Sequence, residues 1–203
     1  MRPTTLCLAT LSLIALAIAP LAHAGEDFEG KDLNGKNFEA KNLTEANFAD
    51  TTLSHCSFTS AILTKANFRD SDITWTTFYK AEAEGADFRG ATIKTTFSGC
   101  NFTEANFEGI DFGGSTFESV NLRKANLRNT TGYFNGMWCN LKGADIRGAN
   151  LSGLLASSFA GGWEPGATVT PSFKGAIYDS KTIFPKGIDP VAAGAVLVEG
   201  EEK

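Results

Sequence analysis

Bulky apolar residues return along this chain at every fifth position. Phe28, Leu33, Phe38, Leu43, Phe48, Leu53, Phe58, Leu63, Phe68, Ile73 and Phe78 open the series, which runs on through Ala83, Phe88 and Ile93. One step, from Ile93 to Phe97, is four; the interval of five then resumes through Phe102, Phe107, Phe112, Phe117, Leu122 and Leu127. Leu141, Ile146 and Leu151 follow an interruption, TTGYFNGMWC. Twelve of the 16 phenylalanines occupy these centres, so chance does not explain the spacing. The residue two places before a centre is small, as at Ala46, Cys56, Ala66, Ala86, Ser115 and Ala125, with Ile110 the bulkiest exception.

A period of five matches neither the 3.6 of a helix nor the 2 of a flat strand. It suits a chain that runs straight for a few residues, turns a corner and repeats. The centre and the residue two before it share one face of a short extended segment and point inward. The other three positions point outward and are mostly polar. Asn or Asp recurs just before the centre (Asp27, Asn37, Asn47, Asn67, Asp87, Asn106), where a short side chain bonds local backbone at a turn.

Up to Ile93 the centres alternate between Phe and a smaller residue, which implies an even number of sides. The small position holds Glu26, Lys31, Lys36 and Lys41 before it becomes Ala46. Four successive charged groups mark an end coil whose open face reaches water, where long stems can snorkel. Four sides of five residues give a coil of twenty. The short step at 93–97 then removes one residue from a corner or an outward position and keeps both centres in the core, where five successive Phe centres begin.

The pattern resembles the pentapeptide repeat family, whose motif is a small residue, Asp or Asn, Leu or Phe, and two variable positions. Ala-Asn-Phe at 46–48, 66–68 and 105–107, Ala-Asp-Phe at 86–88 and Ala-Asn-Leu at 125–127 and 149–151 carry the resemblance, which covers roughly residues 27–152. It implies an all-β fold, a right-handed quadrilateral β-helix of about six coils. Residues 25–153 are expected to form it. Residues 154–203 are expected to form a C-terminal cap, with Trp163, Phe173, Ile177, Tyr178, Ile183 and Phe184 covering the last coil and an acidic tail, 199–203, beyond. The stretch SFKGAIYDSKTIFPKGIDP resembles the closing tail of bacterial, especially cyanobacterial, members.

The first 24 residues carry Arg2, an uncharged run at 6–19 and Ala22-His23-Ala24, the three parts of a secretory signal peptide. The run is too short for a membrane span of about 20 apolar residues. Cleavage before Gly25 would export the mature chain to the periplasm, or to the thylakoid lumen in a cyanobacterium. Loss of Arg2 takes the formal charge from −5 to −6. This mild acidity argues against a nucleic-acid partner, and no second apolar run suggests membrane contact. Cys56, Cys100 and Cys139 all fall at inward positions; Cys100 and Cys139 lie on one wall two coils apart, about 9.6 Å by strand spacing, beyond the roughly 7 Å limit for a disulfide. Three buried free thiols are expected.

Catalysis finds little support. His55 is expected to face solvent and Cys56 the core, so they form no nucleophile and base pair. The mature chain has too few histidines for a histidine zinc site, and no glycine-rich phosphate loop precedes a helix. No cofactor, metal or catalytic residue is expected. Two departures suit recognition. Glu82 and Glu84 flank the reduced centre Ala83, denting one wall beside an acidic spot. Between Leu127 and Leu141 the motif lapses, and Tyr133, Phe134, Met137 and Trp138 lose assured inward places; they anchor a partner or pack under a local loop. The leading expectation is an exported, non-enzymatic scaffold for a protein partner. The alternative, drawn from family members that mimic DNA and bind gyrase, is disfavoured by export and by outward Arg123, Lys124 and Arg128.

Overall fold

The computed structural model describes residues 25–133, 135–154 and 172–198. Its backbone pairs with itself in parallel at a constant offset. Asp27 pairs with Asn47, Asn47 with Asn67 and Asn67 with Asp87, and the same twenty-residue offset links Asp32 to Thr52, Asn37 to Ser57 and Asn42 to Ile62. Four pairing columns, each five residues from the next, define a four-sided parallel β-solenoid. About six turns run from Asp27 to Leu154.

The walls are named here by their centres. Wall A carries Phe28, Phe48, Phe68, Phe88 and Phe107; wall B carries Leu33, Leu53, Ile73 and Ile93; wall C carries Phe38, Phe58, Phe78, Phe97 and Phe117; wall D carries Leu43, Leu63, Ala83 and Phe102. From Leu43 to Leu127 every centre lies within 2 % exposure. Along wall A the rings stack at 4.8 Å (Phe28 on Phe48) and 4.9 Å (Phe48 on Phe68), and wall C repeats this with Phe38 on Phe58 at 4.9 Å. The two walls meet edge to face across the core, Phe48 on Phe58 at 5.4 Å. This arrangement suits the ring quadrupole as well as the volume.

The regular corners are tight turns whose third residue is left-handed, the pattern of a type II turn. The Cys56 N–H donates to the Leu53 carbonyl at 3.1 Å, and the residue between them, His55, has φ 62°. The Asn or Asp before each centre accepts the N–H two residues on, as in Ala49 N–H to Asn47 Oδ1 at 3.2 Å, and the amide groups also stack, Asn67 Nδ2 donating to Asn47 Oδ1 at 2.9 Å. Inward hydroxyls and thiols at the small position satisfy a centre carbonyl of the previous coil: Thr51 bonds Phe28 O at 3.0 Å, Thr76 bonds Leu53 O at 2.7 Å and Cys56 bonds Leu33 O at 3.0 Å. A polar atom can therefore sit in the core without an unmet bond.

Wall C and its approach lengthen into strands: β1 (Asp72–Thr77), β2 (Thr92–Ser98), β3 (Thr116–Glu118) and β4 (Asn135–Met137), paired in that order. β2 holds the short step. Its neighbour β1 turns at Trp75, φ 58°, whereas β2 runs through the same place with strict alternation, Ile93, Thr95 and Phe97 in and Lys94 and Thr96 out. The register shifts between Thr74 and Thr77. The residue removed is the left-handed corner residue, and Phe97 stays fully buried. The coil that follows closes its core with aromatic rings on all four walls, Phe97, Phe102, Phe107, Phe112 and Phe117 meeting in series at 4.9 to 5.5 Å.

The motif does not lapse in the backbone between Leu127 and Leu141. Thr131 pairs with Asp111, and β4 continues the sheet in register with β3. What changes is the filling: the wall C centre is Gly136, and Leu154 of the next coil occupies the vacated volume, its Cδ2 lying 2.6 Å from where a Gly136 β-carbon would be.

At the far end, Ser172 pairs with Asn140, Ile177 with Asp145 and Ile183 with Asn150. Phe173 is fully buried below Leu141, and Tyr178 and Phe184 pack partly buried against the core. Ile183 instead faces outward at 52 % exposure, because it holds the pairing position rather than a centre. Strands β5 (Ile177–Tyr178) and β6 (Val196–Leu197) add one more parallel layer. Asp179 ties this segment to the last regular coil by accepting the Gly148 N–H at 2.8 Å. Burial works against its charge, but the Gly148 N–H, the Thr182 hydroxyl and the Lys181 and Thr182 N–H groups hold its carboxyl below the usual range. Of the residues expected to cap the rod, Trp163 lies outside the described residues, as do the acidic tail 199–203, the leader 1–24 and Phe134.

At the opposite end Lys31, Lys36 and Lys41 are exposed, and Phe28 and Leu33 are only partly buried. The Lys31 and Lys41 ammonium groups lie 5.4 and 5.8 Å from the Phe28 and Phe38 ring centroids, so the stems cover the open core while the charges reach water.

Candidate interaction surface

The three cysteines among the described residues, Cys56, Cys100 and Cys139, are unpaired and buried. Cys100 donates to the Phe78 carbonyl, and burial pushes its pKa to about 12; burial does the same to Cys139, also about 12. Thiols so held remain protonated and lack nucleophilic character at neutral pH. His55 is exposed at its corner while Cys56 beside it is 2 % exposed, so the two point away from each other. No group of three or more His, Cys, Asp or Glu side chains among the described residues is arranged to hold a metal ion. No helix among them is long and apolar enough to cross a membrane.

The side chains that reach solvent stand at the outward positions. Ala83 is fully buried on wall D, and its N–H donates to the Asn101 carbonyl at 2.8 Å, so the wall runs straight past it. Glu82 and Glu84 project from that wall, with Asn101 Nδ2 donating to Glu82 Oε2 at 2.9 Å. Tyr133, 59 % exposed, stands at the corner leading into wall C, and Trp138, 37 % exposed, at the corner leading out of it. The glutamates do not share a layer with these aromatics. Glu82 pairs with Asn101, Asn101 with Asn121 and Asn121 with Asn140, which puts Trp138 three layers further along, about 14 Å at the spacing of strands.

Two further aromatics belong to the same face. Trp75 is 68 % exposed and Tyr79 is 45 % exposed, on either side of Thr77. The four exposed aromatic residues among those described therefore all flank wall C. The period places both outward, Trp75 two after the Ile73 centre and Tyr79 one after Phe78, and that was the signal available in the sequence. Above Trp75 the missing corner of β2 leaves a recess of ≈ 340 Å³, lined by Trp75, Thr77, Tyr79, Lys94, Thr96 and Ser98 among others.

Charge on the flanking walls is locally balanced. Arg89 grips Asp87 with two nitrogens, and Arg69 stands 3.7 Å from the same carboxylate. Burial opposes ionisation of Asp87, but hydrogen bonds from Arg89 and the charges of both arginines keep its pKa below the ordinary value. Lys124 pairs with Glu104 at 2.8 Å.

A four-sided parallel solenoid around a continuous apolar core defines a repeat protein of the β-solenoid class. The model of the pentapeptide repeats matches eight copies, over residues 27–59, 42–78, 63–94 and 96–131, just over half of the chain. The chain belongs to the pentapeptide repeat family. No curated protein matches it. Among solved structures it is similar to a pentapeptide repeat protein of the Arabidopsis thaliana thylakoid lumen, 28 % identical, with 60 % of this chain and 68 % of that one covered and a TM-score of 0.33. It is also similar to QnrB1, a plasmid-mediated fluoroquinolone resistance protein, 21 % identical, with 86 % and 85 % covered and a TM-score of 0.28. A third is HetL of the cyanobacterium Nostoc, involved in heterocyst differentiation regulation, 17 % identical, with 86 % of each chain covered and a TM-score of 0.25.

Proposed function

We propose that this pentapeptide repeat protein is an exported, non-enzymatic scaffold that holds a protein partner against its rigid outer walls, in the periplasm or, in a cyanobacterium, the thylakoid lumen. The observation that carries the reading is the placement of Tyr133 and Trp138. Both stand outward at corners of one layer, Tyr133 59 % and Trp138 37 % exposed, while Phe117 below and Leu154 above close that layer's core. Exposed aromatics at such positions are the usual anchors of protein interfaces, and Glu82 and Glu84 on the adjoining wall supply a polar flank. The same layering speaks against catalysis, because thiols face inward and the histidine outward.

Photo-crosslinking from p-benzoylphenylalanine at positions 133 and 138, in the native compartment, tests the reading. One partner protein joined at both positions, and absent when the crosslinker replaces Asn34 at the far end of the rod, is the expected result. Absence of any protein adduct at 133 and 138 would overturn it. Mass spectrometry of the purified chain should place its N-terminus at Gly25. A supercoiling assay with DNA gyrase should show neither inhibition nor protection.

A further inference from the structure

The recess above Trp75 is separate from the layer of Tyr133 and Trp138 and is built differently. Trp75 occupies a left-handed corner, φ 58°, as other non-glycine residues do along the rod. It contributes little to the core, being 68 % exposed. The same corner position holds Ala40, His55 and Lys65 elsewhere on the rod, so neither the backbone nor the core calls for a large aromatic here. The coil above lacks the matching corner residue, so the indole stands over open space rather than over a neighbour.

The chemistry of the recess narrows the occupant. Its volume lies at the low end of small-ligand sites, about 300–1,000 Å³, and its mouth is far smaller than the roughly 800 Å² per partner of a stable protein interface. Its backbone is spent: Thr77 N–H donates to Cys56 O at 2.9 Å, Phe58 N–H donates to Thr77 O at 2.7 Å, and β2 pairs on both sides. An extended peptide would find no free strand edge to satisfy its amides, and a phosphate would find no free nest of N–H groups. What remains outward is the faces of Trp75 and Tyr79, the Thr77 and Thr96 hydroxyls, which make no hydrogen bond among the described residues, Ser98, and one charge, Lys94, with no carboxylate in the lining. Thr77 and Thr96 are register partners on adjacent coils. Flat apolar faces beside a ladder of hydroxyls complement a sugar ring, which presents a C–H face to an aromatic and hydroxyls at its rim.

We infer that the corner recess formed by Trp75, Thr77, Tyr79, Lys94 and Thr96 is a subsite for a carbohydrate chain. It does not depend on the protein-partner reading, and the two fail independently.

Saturation-transfer NMR and titration calorimetry with cellohexaose, chitohexaose and hexagalacturonate at millimolar concentration test it on the full mature chain. At least one saccharide should bind. Trp75→Gly should weaken that binding about tenfold or more, Trp75→Phe should restore part of it, and Trp138→Ala should leave it unchanged. Urea melts of each variant establish that the fold persists. No binding by any of the three, binding undiminished in Trp75→Gly, or capture of a hexaglutamate peptide at Trp75 in place of the saccharides would overturn the inference.

Discussion

The Thr95 hydroxyl donates to the Thr76 carbonyl, one corner position on the next coil reaching back to the same position below. Elsewhere in that column the bond goes to a centre: Thr76 to Leu53 O and Ser115 to Ile93 O at 3.1 Å. The change of acceptor is the local consequence of the lost corner residue. Thr95→Val keeps the shape and removes the donor. It removes one hydrogen bond from a buried carbonyl and should cost about 0.5–1.5 kcal/mol in urea unfolding, whereas Thr96→Val on the outside should cost less than about 0.5 kcal/mol.

Gly136 and Leu154 form a second such pair. A β-carbon at Gly136 would meet Leu154 Cδ2 at 2.6 Å and Cys139 Sγ at 3.3 Å. Gly136→Ala should therefore destabilise by about 1–3 kcal/mol, and Leu154→Ala by about 2–5 kcal/mol. Because the second substitution empties the space that the first needs, the double variant should be more stable than the sum of the two losses implies, a coupling measurable by a double-mutant cycle.

The fold was legible because one interval repeats so often that side number, inward positions and thiol burial all follow from counting. Compensation between distant coils was not. Leu154 filling the place of Gly136 makes TTGYFNGMWC look like a lapse, although the pairing through Thr131 and Asn135 continues. Ser172 pairs with Asn140 across 155–171, whose sequence shows no period of five. On the surface, Glu82, Glu84, Tyr133 and Trp138 stand out in the sequence because they lie beside broken motifs, whereas Trp75 and Tyr79 do not. Those two sit in intact repeats, and their significance depends on a corner deleted from the coil above.

Trp75→Gly relieves the left-handed side chain and adds unfolded-state entropy, which partly offsets the gain. A net stabilisation of about 0.5–1 kcal/mol should appear as a higher urea midpoint. The opposite sign is expected at Gly90, φ 75°, where a β-carbon would lie 2.0 Å from Asp70 Oδ1.

Alkaline stability follows from the thiols. Burial raises Cys100 and Cys139 from the ordinary thiol range to about 12 in the fold. The folded chain thus holds protons that the unfolded chain has released, so this contribution is complete below about pH 9 and is lost as pH rises toward 12. Urea midpoints should fall over that window, and Cys100→Ala with Cys139→Ala should flatten the fall. Iodoacetamide at pH 8 should modify neither thiol until the chain unfolds.

The central claim is that one residue in five, pointing inward, holds the rod and leaves the outer walls free for binding. Phe68 tests it most directly: it is fully buried, stacked at 4.9 Å on both Phe48 and Phe88. Equilibrium urea unfolding of Phe68→Ala should show a loss of about 3–5 kcal/mol; a loss below about 1 kcal/mol would contradict the account.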